Sequence, residues 1–479
     1  MSNPIYVTTT IPYVNAAPHI GFALELVQAD AIARYHRLVG ADVRFQTGTD
    51  ENAFKNVLSA RARGVPVARL VDENSARFQS LLGILDISTD HFVRTTCRQH
   101  ADSVTAFLAL LPSGDLYRQR YQGLYCAACE DFYLENDLTD GKCPEHEVAA
   151  IAVAEENTFF RLSRYQNQLR ELIASRRLHV IPESRELEVL RFIERGLFDI
   201  SISRVAGRSE GWGIPFPGDA TQVVYVWIDA LINYLSGLGY PEDKKVERYW
   251  RDATKVHVIG KNVWKFHAVY WPALLLSAGL PVPDRIVVHG FLTNEGRKIS
   301  KSRGDAADPA EYARLFGADA VRYFLLRQVR PFEDCDFSQS RLEAAYQSDL
   351  ANGLGNLVSR LSALCEAAGV PGVEQATRWP APRDYHDHVA AFRCDLALAS
   401  IWSEISRLNR DLAVTKPWND IRAGRLDDAR ATLSSYVYRL AAVAHWLAPF
   451  LPATSAAIAE RLSHSLIAKG SALFPRYAR

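Results

Sequence analysis

A chain of 479 residues is longer than one hydrophobic core supports, so about two to four domains are expected. Its 48% hydrophobic and 23% charged residues are ordinary for soluble globular domains, and no apolar run is long enough to span a bilayer, so no membrane role is expected. The 55 Lys+Arg balance 55 Asp+Glu, so any nucleic-acid contact must come from a local basic face and not from the total charge.

The N-terminus has no charged segment followed by an apolar one, so no secretory signal is read and a cytoplasmic location is expected. Three of the seven cysteines cluster at Cys126, Cys129 and Cys143, while Cys97, Cys335, Cys365 and Cys394 are scattered. That is the pattern of one metal site in a reducing compartment, not of a disulfide framework.

The first element is a short β-like run, Ile5-Tyr6-Val7-Thr8-Thr9. A polar turn, Thr10 to Phe22, leads into a helical pattern from Ala23 to Val39. Strand, tight turn and helix is the geometry in which a helix N-terminus meets an anion. Neither GxGxxG nor GxxxxGK[ST] is present. Instead Pro18 fixes the backbone ahead of His19, and Gly21 permits a close approach. Read locally, His19 is a phosphate ligand or part of an ordinary turn capped by Asn15. A second strand, Val43 to Thr47, ends at Gly48-Thr49-Asp50-Glu51-Asn52 before another helical pattern. The alternation predicts a parallel α/β sheet with ligands at the carboxyl ends of its strands. Asp50 sits at such an end, placed either to bind a substrate amine or to cap the next helix.

A metal-ligand pattern opens the next segment. Cys126-Ala127-Ala128-Cys129 is followed after thirteen residues by Cys143-Pro144-Glu145-His146, with Gly141 just ahead as a tight knuckle wants. Three thiolates and one imidazole form a closed tetrahedral set, which predicts one structural Zn2+. Glu156 to Leu162 reads as sheet; Arg164 to Ser175 and Glu186 to Arg195 read as helices. Pro182 and Pro215-Phe216-Pro217-Gly218 mark turns.

The α/β rhythm then resumes. Val223 to Ile228 is nearly continuous and apolar, as in a strand buried on both faces, with a helix expected from Asp229. Val256 to Ile259 is another strand, ending at Gly260-Lys261. Val263 and His267 share a face of the helix that follows. Ile286 to Leu292 is one more strand. Gly296-Arg297-Lys298-Ile299-Ser300-Lys301-Ser302-Arg303-Gly304 is either a solvated basic loop or one in which two lysines spaced by three face a polyphosphate while the serines donate hydrogen bonds. From about Glu343 the chain reads as helical. Leu350, Leu354, Leu357, Leu361 and Leu364 form an amphipathic stripe, and Asn352, Asn356 and Arg360 recur on another face. That polar row is either solvated or a contact for unstacked bases. Residues 346–479 carry 15 Lys+Arg and 12 Asp+Glu, a balance of 15 − 12 = +3.

Pro18-His19-Ile20-Gly21 and Lys298-Ile299-Ser300-Lys301-Ser302 resemble the two signatures of class I aminoacyl-tRNA synthetases, and the rest of the chain resembles their methionyl branch. The likeness runs through Ile11-Pro12-Tyr13-Val14-Asn15, Thr47-Gly48-Thr49-Asp50-Glu51, Cys143-Pro144-Glu145-His146, Pro182-Glu183-Ser184-Arg185, Leu197 to Arg204 and Tyr225 to Leu231. It implies a Rossmann-like parallel-sheet catalytic domain in two halves, 1–116 and 220–295, around a zinc-knuckle insertion, 117–219. A loop and stem-contact region, 296–342, and an all-α anticodon-binding bundle, 343–479, would follow.

The implied activity is ATP-dependent conversion of methionine to methionyl-adenylate and transfer to tRNA(Met), with Mg2+ accompanying ATP. By the same resemblance His19, Lys298 and Lys301 are catalytic, and Gly21, Gly260, Ser300 and Ser302 join them in binding ATP. Asp50 takes the substrate ammonium. Ile11, Tyr13, Trp227, Ala230, Leu231, Tyr234, Val263 and His267 wall the methionine pocket. Asn352, Asn356, Arg360 and Trp418 read the anticodon. No appended module follows the helices, so a monomer is expected. Phe22, Asn52-Ala53, Asn262 and Lys265 depart from the family pattern. They leave open a specialised paralogue (drug-tolerant, or using aminoacyl-adenylate outside translation) and a catalytically weakened tRNA-binding protein.

Overall fold

The structure, a computed structural model, describes residues 4–126, 131–133, 135, 138–144, 148–294, 297–298, 307–373 and 379–475. The chain divides into two compact units: residues 1–18, 41–80 and 89–289 form the first, and residues 19–40, 81–88 and 290–479 the second. The fold is mixed α/β, with a Rossmann-like parallel sheet and a helical C-terminal region.

The first unit is built on a six-stranded sheet in the order His91–Arg94, Val43–Thr49, Ile5–Thr9, Thr254–Gly260, Arg285–His289, His179–Ile181. Every pairing is parallel. Strands buried on both faces must be apolar or internally bonded, and Tyr6, Val7, Thr8 and Thr9 are all buried. Strand order reverses beside Ile5–Thr9, where its neighbour becomes Thr254–Gly260. In such sheets the crevice at the carboxyl ends of these two strands is the ligand position. The core beneath gathers Tyr6, Phe107, Phe160, Tyr234, Trp250 and Trp271.

Two predicted strands are corrected. The run Val223 to Ile228 does not enter the parallel sheet. Strand Asp219–Val224 pairs antiparallel with Ser203–Val205 and Pro215–Phe216, and Val226–Leu231 is already helical. A short apolar run buried all round is consistent with either state, and here tertiary packing chose helix. The run Ile286 to Leu292 breaks after His289. A Cβ on Gly290 would lie 2.1 Å from the carbonyl oxygen of Glu333, and Leu292–Asn294 belongs to a second small sheet with Arg297–Lys298 and Cys335–Phe337.

An antiparallel insertion sheet joins Asp131–Tyr133, Leu116–Cys126, Ile151–Phe160 and Ile200–Ser201. Asp140 and Gly141, both at positive φ, turn a two-residue hairpin closed by Thr139 and Lys142 immediately before Cys143.

In the second unit a π-helical stretch, Tyr346–Gly355, continues into helix Asn356–Ala368, which packs against Leu426–Leu447 and Pro417–Arg422. Leu350, Leu354, Leu357 and Leu361 are buried as expected, whereas Leu364 is half-buried and Cys365 takes the next core position. The fully buried Arg322 lies 2.7 Å from Asp30 and donates to the carbonyls of Leu85, Pro449 and Phe450. Buried guanidinium needs this full set of acceptors.

Candidate active site

Parallel pairing continues past the ends of the first two strands. The amide of Asp50 donates to the carbonyl of Pro12 at 2.9 Å, and Tyr13 pairs with Asp50. Ile11 to Tyr13 is thereby fastened beside a carboxylate that is 1% exposed. Asp50 is not a helix cap: helix Phe54–Arg63 starts from Ala53 without a side-chain cap. The turn is held instead by Asn56, which donates to the carbonyls of Asp50 and Glu51, and by Thr95 Oγ1, which accepts from the Glu51 amide at 2.8 Å. Trp212 Nε1 donates to the Glu51 carbonyl at 2.9 Å.

Aromatic rings link outward from Tyr13. Its ring centre lies 5.9 Å from that of Trp227, and Trp227 stacks on Phe266 at 3.9 Å with 7° between planes. Lys265 Nζ lies 5.0 Å from the same Phe266 ring, so this departure from the family pattern has a cation–π contact. His267, next along, meets Tyr234: the phenol oxygen is 2.7 Å from Nε2, and Nδ1 is 2.9 Å from the Val263 carbonyl oxygen. A carbonyl only accepts, so Nδ1 carries the proton, and in the neutral ring Nε2 accepts from Tyr234. Ala230, Leu231, Tyr234, Val263 and His267 are all buried.

Beneath Tyr234 the ring of His257 stacks at 4.1 Å, with Nδ1 2.6 Å from Thr8 Oγ1. Burial, then repulsion from His267 and Lys255, holds the His257 imidazole well below the usual histidine range. Asp229, two residues beyond Trp227, is engaged on both oxygens, by His100 Nε2 at 2.5 Å and by Asn52 Nδ2 at 2.8 Å. Gly260 ends its strand where a Cβ would come within 3.1 Å of Asn262 Oδ1.

This grouping offers a buried carboxylate for an ammonium and polarizable rings for an apolar side chain, with two polar groups at a defined place. Phe266 and His100 escaped the sequence reading. Phe266 adjoins His267 and was within reach of the same helical spacing, whereas nothing local marks His100.

In the second unit His19 is the N-cap of helix Ile20–Leu38, which starts three residues before the predicted Ala23. Its Nδ1 accepts from the Gly21 amide at 3.0 Å, and a Cβ on Gly21 would strike the same ring at 2.9 Å. His19, and not Asn15, therefore caps this helix. With Nδ1 an acceptor, the ring proton sits on Nε2, so the imidazole can offer a donor to an anion at a helix N-terminus. Phe22 is buried.

Lys298 stands opposite Thr293 in the short antiparallel pair of Leu292–Asn294 and Arg297–Lys298. Ser300, Lys301 and Ser302 lie outside the described residues, as do Cys129 and His146. Of the predicted zinc ligands, Cys126 and Cys143 are buried, one ending a strand and one following the hairpin turn. Among the described residues no group of three metal-ligating side chains converges. Asn352 and Asn356 are exposed and Arg360 half-buried along one helical stretch, and Trp418 is half-buried on helix Pro417–Arg422. No helix among the described residues is long and apolar enough to cross a membrane.

A sequence profile described as tRNA synthetases class I (M) matches residues 5–153 and 135–362. The methionine–tRNA ligase of Thermotoga maritima is 38% identical over 476 residues, covering 96% of this chain and 75% of that protein. The methionine–tRNA ligase of Thermosynechococcus vestitus is 40% identical over 493 residues, covering 98% and 92%. Among solved structures, Mycobacterium tuberculosis methionyl-tRNA synthetase bound by methionyl-adenylate matches with a TM-score of 0.91 at 36% identity, over 99% of this chain and 100% of that one. Its apo form matches with a TM-score of 0.84 at 35% identity, over 100% and 99%.

Proposed function

The chain belongs to the class I methionyl-tRNA synthetases, and on that premise we propose how its residues divide the work. The reaction is ATP-dependent activation of methionine to methionyl-adenylate, followed by transfer to the 3′ end of tRNA(Met). A methionine carboxylate oxygen attacks the α-phosphorus and pyrophosphate leaves. The terminal ribose hydroxyl of tRNA then attacks the acyl carbon and AMP leaves. No protein nucleophile is needed, so catalysis is positioning plus electrostatic stabilisation.

Asp50 holds the ammonium. Ile11, Tyr13, Trp227, Ala230, Leu231, Tyr234, Val263 and His267 surround the thioether chain. The observation that carries this reading is the backbone bridge of Tyr13 to Asp50, the ring series from Tyr13 through Trp227 to Phe266, and the Tyr234–His267 pair that begins at the next residue. His19 donates through Nε2 to the triphosphate. Lys298 and Lys301 stabilise charge on the departing pyrophosphate, with Gly21, Gly260, Ser300 and Ser302 lining the nucleotide site. ATP enters with Mg2+, as is general for the family.

Cys126, Cys129, Cys143 and His146 hold one structural zinc in the insertion. Asn352, Asn356, Arg360 and Trp418 read the anticodon by hydrogen bonds and stacking. The protein works in the cytoplasm, as is general for the family. Of the departures from the family, Asn52 donates to Asp229 and Lys265 lies over the Phe266 ring.

The test is pyrophosphate exchange into ATP with each of the twenty amino acids, then charging of tRNA(Met). Methionine-dependent exchange and charging are expected. Exchange with no amino acid would sink the enzymatic reading, and exchange without charging would make this an adenylate-only paralogue.

A further inference from the structure

We propose that Asn52 and His100 are positioning residues for the amino-acid pocket, clamping Asp229 so that helix Val226–Leu231 holds Trp227 in place. This rests on the assignment of Trp227 to the methionine pocket.

The helix is six residues long, too short to fix its own orientation. Asp229 sits in its middle with 0% exposure, two residues after Trp227 and immediately before Ala230 and Leu231. A buried carboxylate persists only where its oxygens are bonded. His100 Nε2 lies 2.5 Å from Oδ1, and Asn52 Nδ2 lies 2.8 Å from Oδ2. Both anchors are themselves oriented. His100 Nδ1 lies 2.7 Å from Ser236 Oγ, and Asn52 Nδ2 also donates to the Thr95 carbonyl at 3.1 Å.

Asn52 stands two residues after Asp50, on the turn that presents the ammonium-binding carboxylate. One hydrogen bond therefore ties that turn to the element carrying the aromatic wall. Asn52, read from sequence as a departure from the family, becomes the group that registers carboxylate against ring.

The full-length protein tests this by pyrophosphate exchange with Asn52→Ala, Asn52→His and Trp227→Ala. Asn52→Ala is expected to raise the KM for methionine roughly tenfold, the scale of losing a hydrogen bond to a charged group. The KM for ATP and kcat should stay within about twofold. Asn52→His keeps a donor toward Asp229 and should restore the methionine KM. Should Asn52→Ala fail to fold, Asn52→Leu, close to asparagine in volume and without a donor, is read the same way. An unchanged methionine KM, or an equal rise in the KM for ATP, overturns the positioning role. If Trp227→Ala leaves the methionine KM unchanged, the pocket assignment fails and the inference falls with it. If Trp227→Ala raises it while Asn52→Ala does not, only the positioning role is lost.

Discussion

The hydroxyl of Tyr234 lies 2.7 Å from Nε2 of His267, and the other nitrogen of that ring lies 2.9 Å from the Val263 carbonyl oxygen. The carbonyl dictates the tautomer, and the tautomer dictates that Tyr234 donates. Tyr234→Phe keeps the ring and its stack on His257 but leaves Nε2 of His267 without this donor. A buried acceptor so deprived costs about 1–3 kcal/mol. The methionine KM in pyrophosphate exchange should rise by roughly tenfold with the KM for ATP little changed, and an unchanged methionine KM would contradict the pocket assignment.

His19 has two roles that substitution can separate. As N-cap it accepts from the Gly21 amide; as proposed phosphate ligand it donates from Nε2. Asn at this position keeps an acceptor for the cap but moves the donor. His19→Asn should therefore retain thermal stability while lowering kcat by about 100-fold, the scale of losing one oxyanion donor. His19→Ala should lower both, with about 1 kcal/mol of stability lost from the missing cap. Thermal melts beside exchange kinetics decide this; equal activity in wild type and His19→Asn would remove His19 from the chemistry.

His257 predicts a sign for pH dependence. Its folded-state pKa is depressed, first by burial and then by His267 and Lys255. As pH falls below about 6.5, the unfolded chain takes up a proton that the fold refuses. Stability from this group is thus fully present above that pH and lost as pH falls, by about 1.4 kcal/mol per unit. His91, His179 and His445 are shifted the same way by burial and add to the slope. Urea midpoints between pH 7.5 and pH 5.5 (about one unit to either side of the histidine value) should decline, and His257→Phe should flatten the decline. A midpoint rising on acidification would exclude this account.

Metal analysis of the purified protein should find about one zinc per chain. Cys143→Ser should lower zinc content and expose residues 117–160 to proteolysis while methionine activation is largely kept. A fully folded protein without metal would refute the zinc assignment.

Much of the parallel sheet was legible because buried strands announce themselves by composition. Ile5–Thr9 matches its predicted bounds, and Val43–Thr49 runs two residues further than read. Val223 to Ile228 misled because burial on all sides removes the periodicity that separates strand from helix. Ile286 to Leu292 misled because its break depends on the Glu333 carbonyl, 43 residues from Gly290 and silent in any local window. The His19 cap was half legible: a polar residue before a helix was expected to cap, but which one depended on the backbone of the turn.

The sequence by itself determined the class of chemistry. Two signature stretches, each ambiguous when read locally, match one family together, and the likeness to that family runs over nearly the whole chain. Only the tertiary structure decided how those groups are held. Asn52, His100 and Asp229 lie up to 177 residues apart, and their meeting follows from which buried polar atoms must find partners once the core closes.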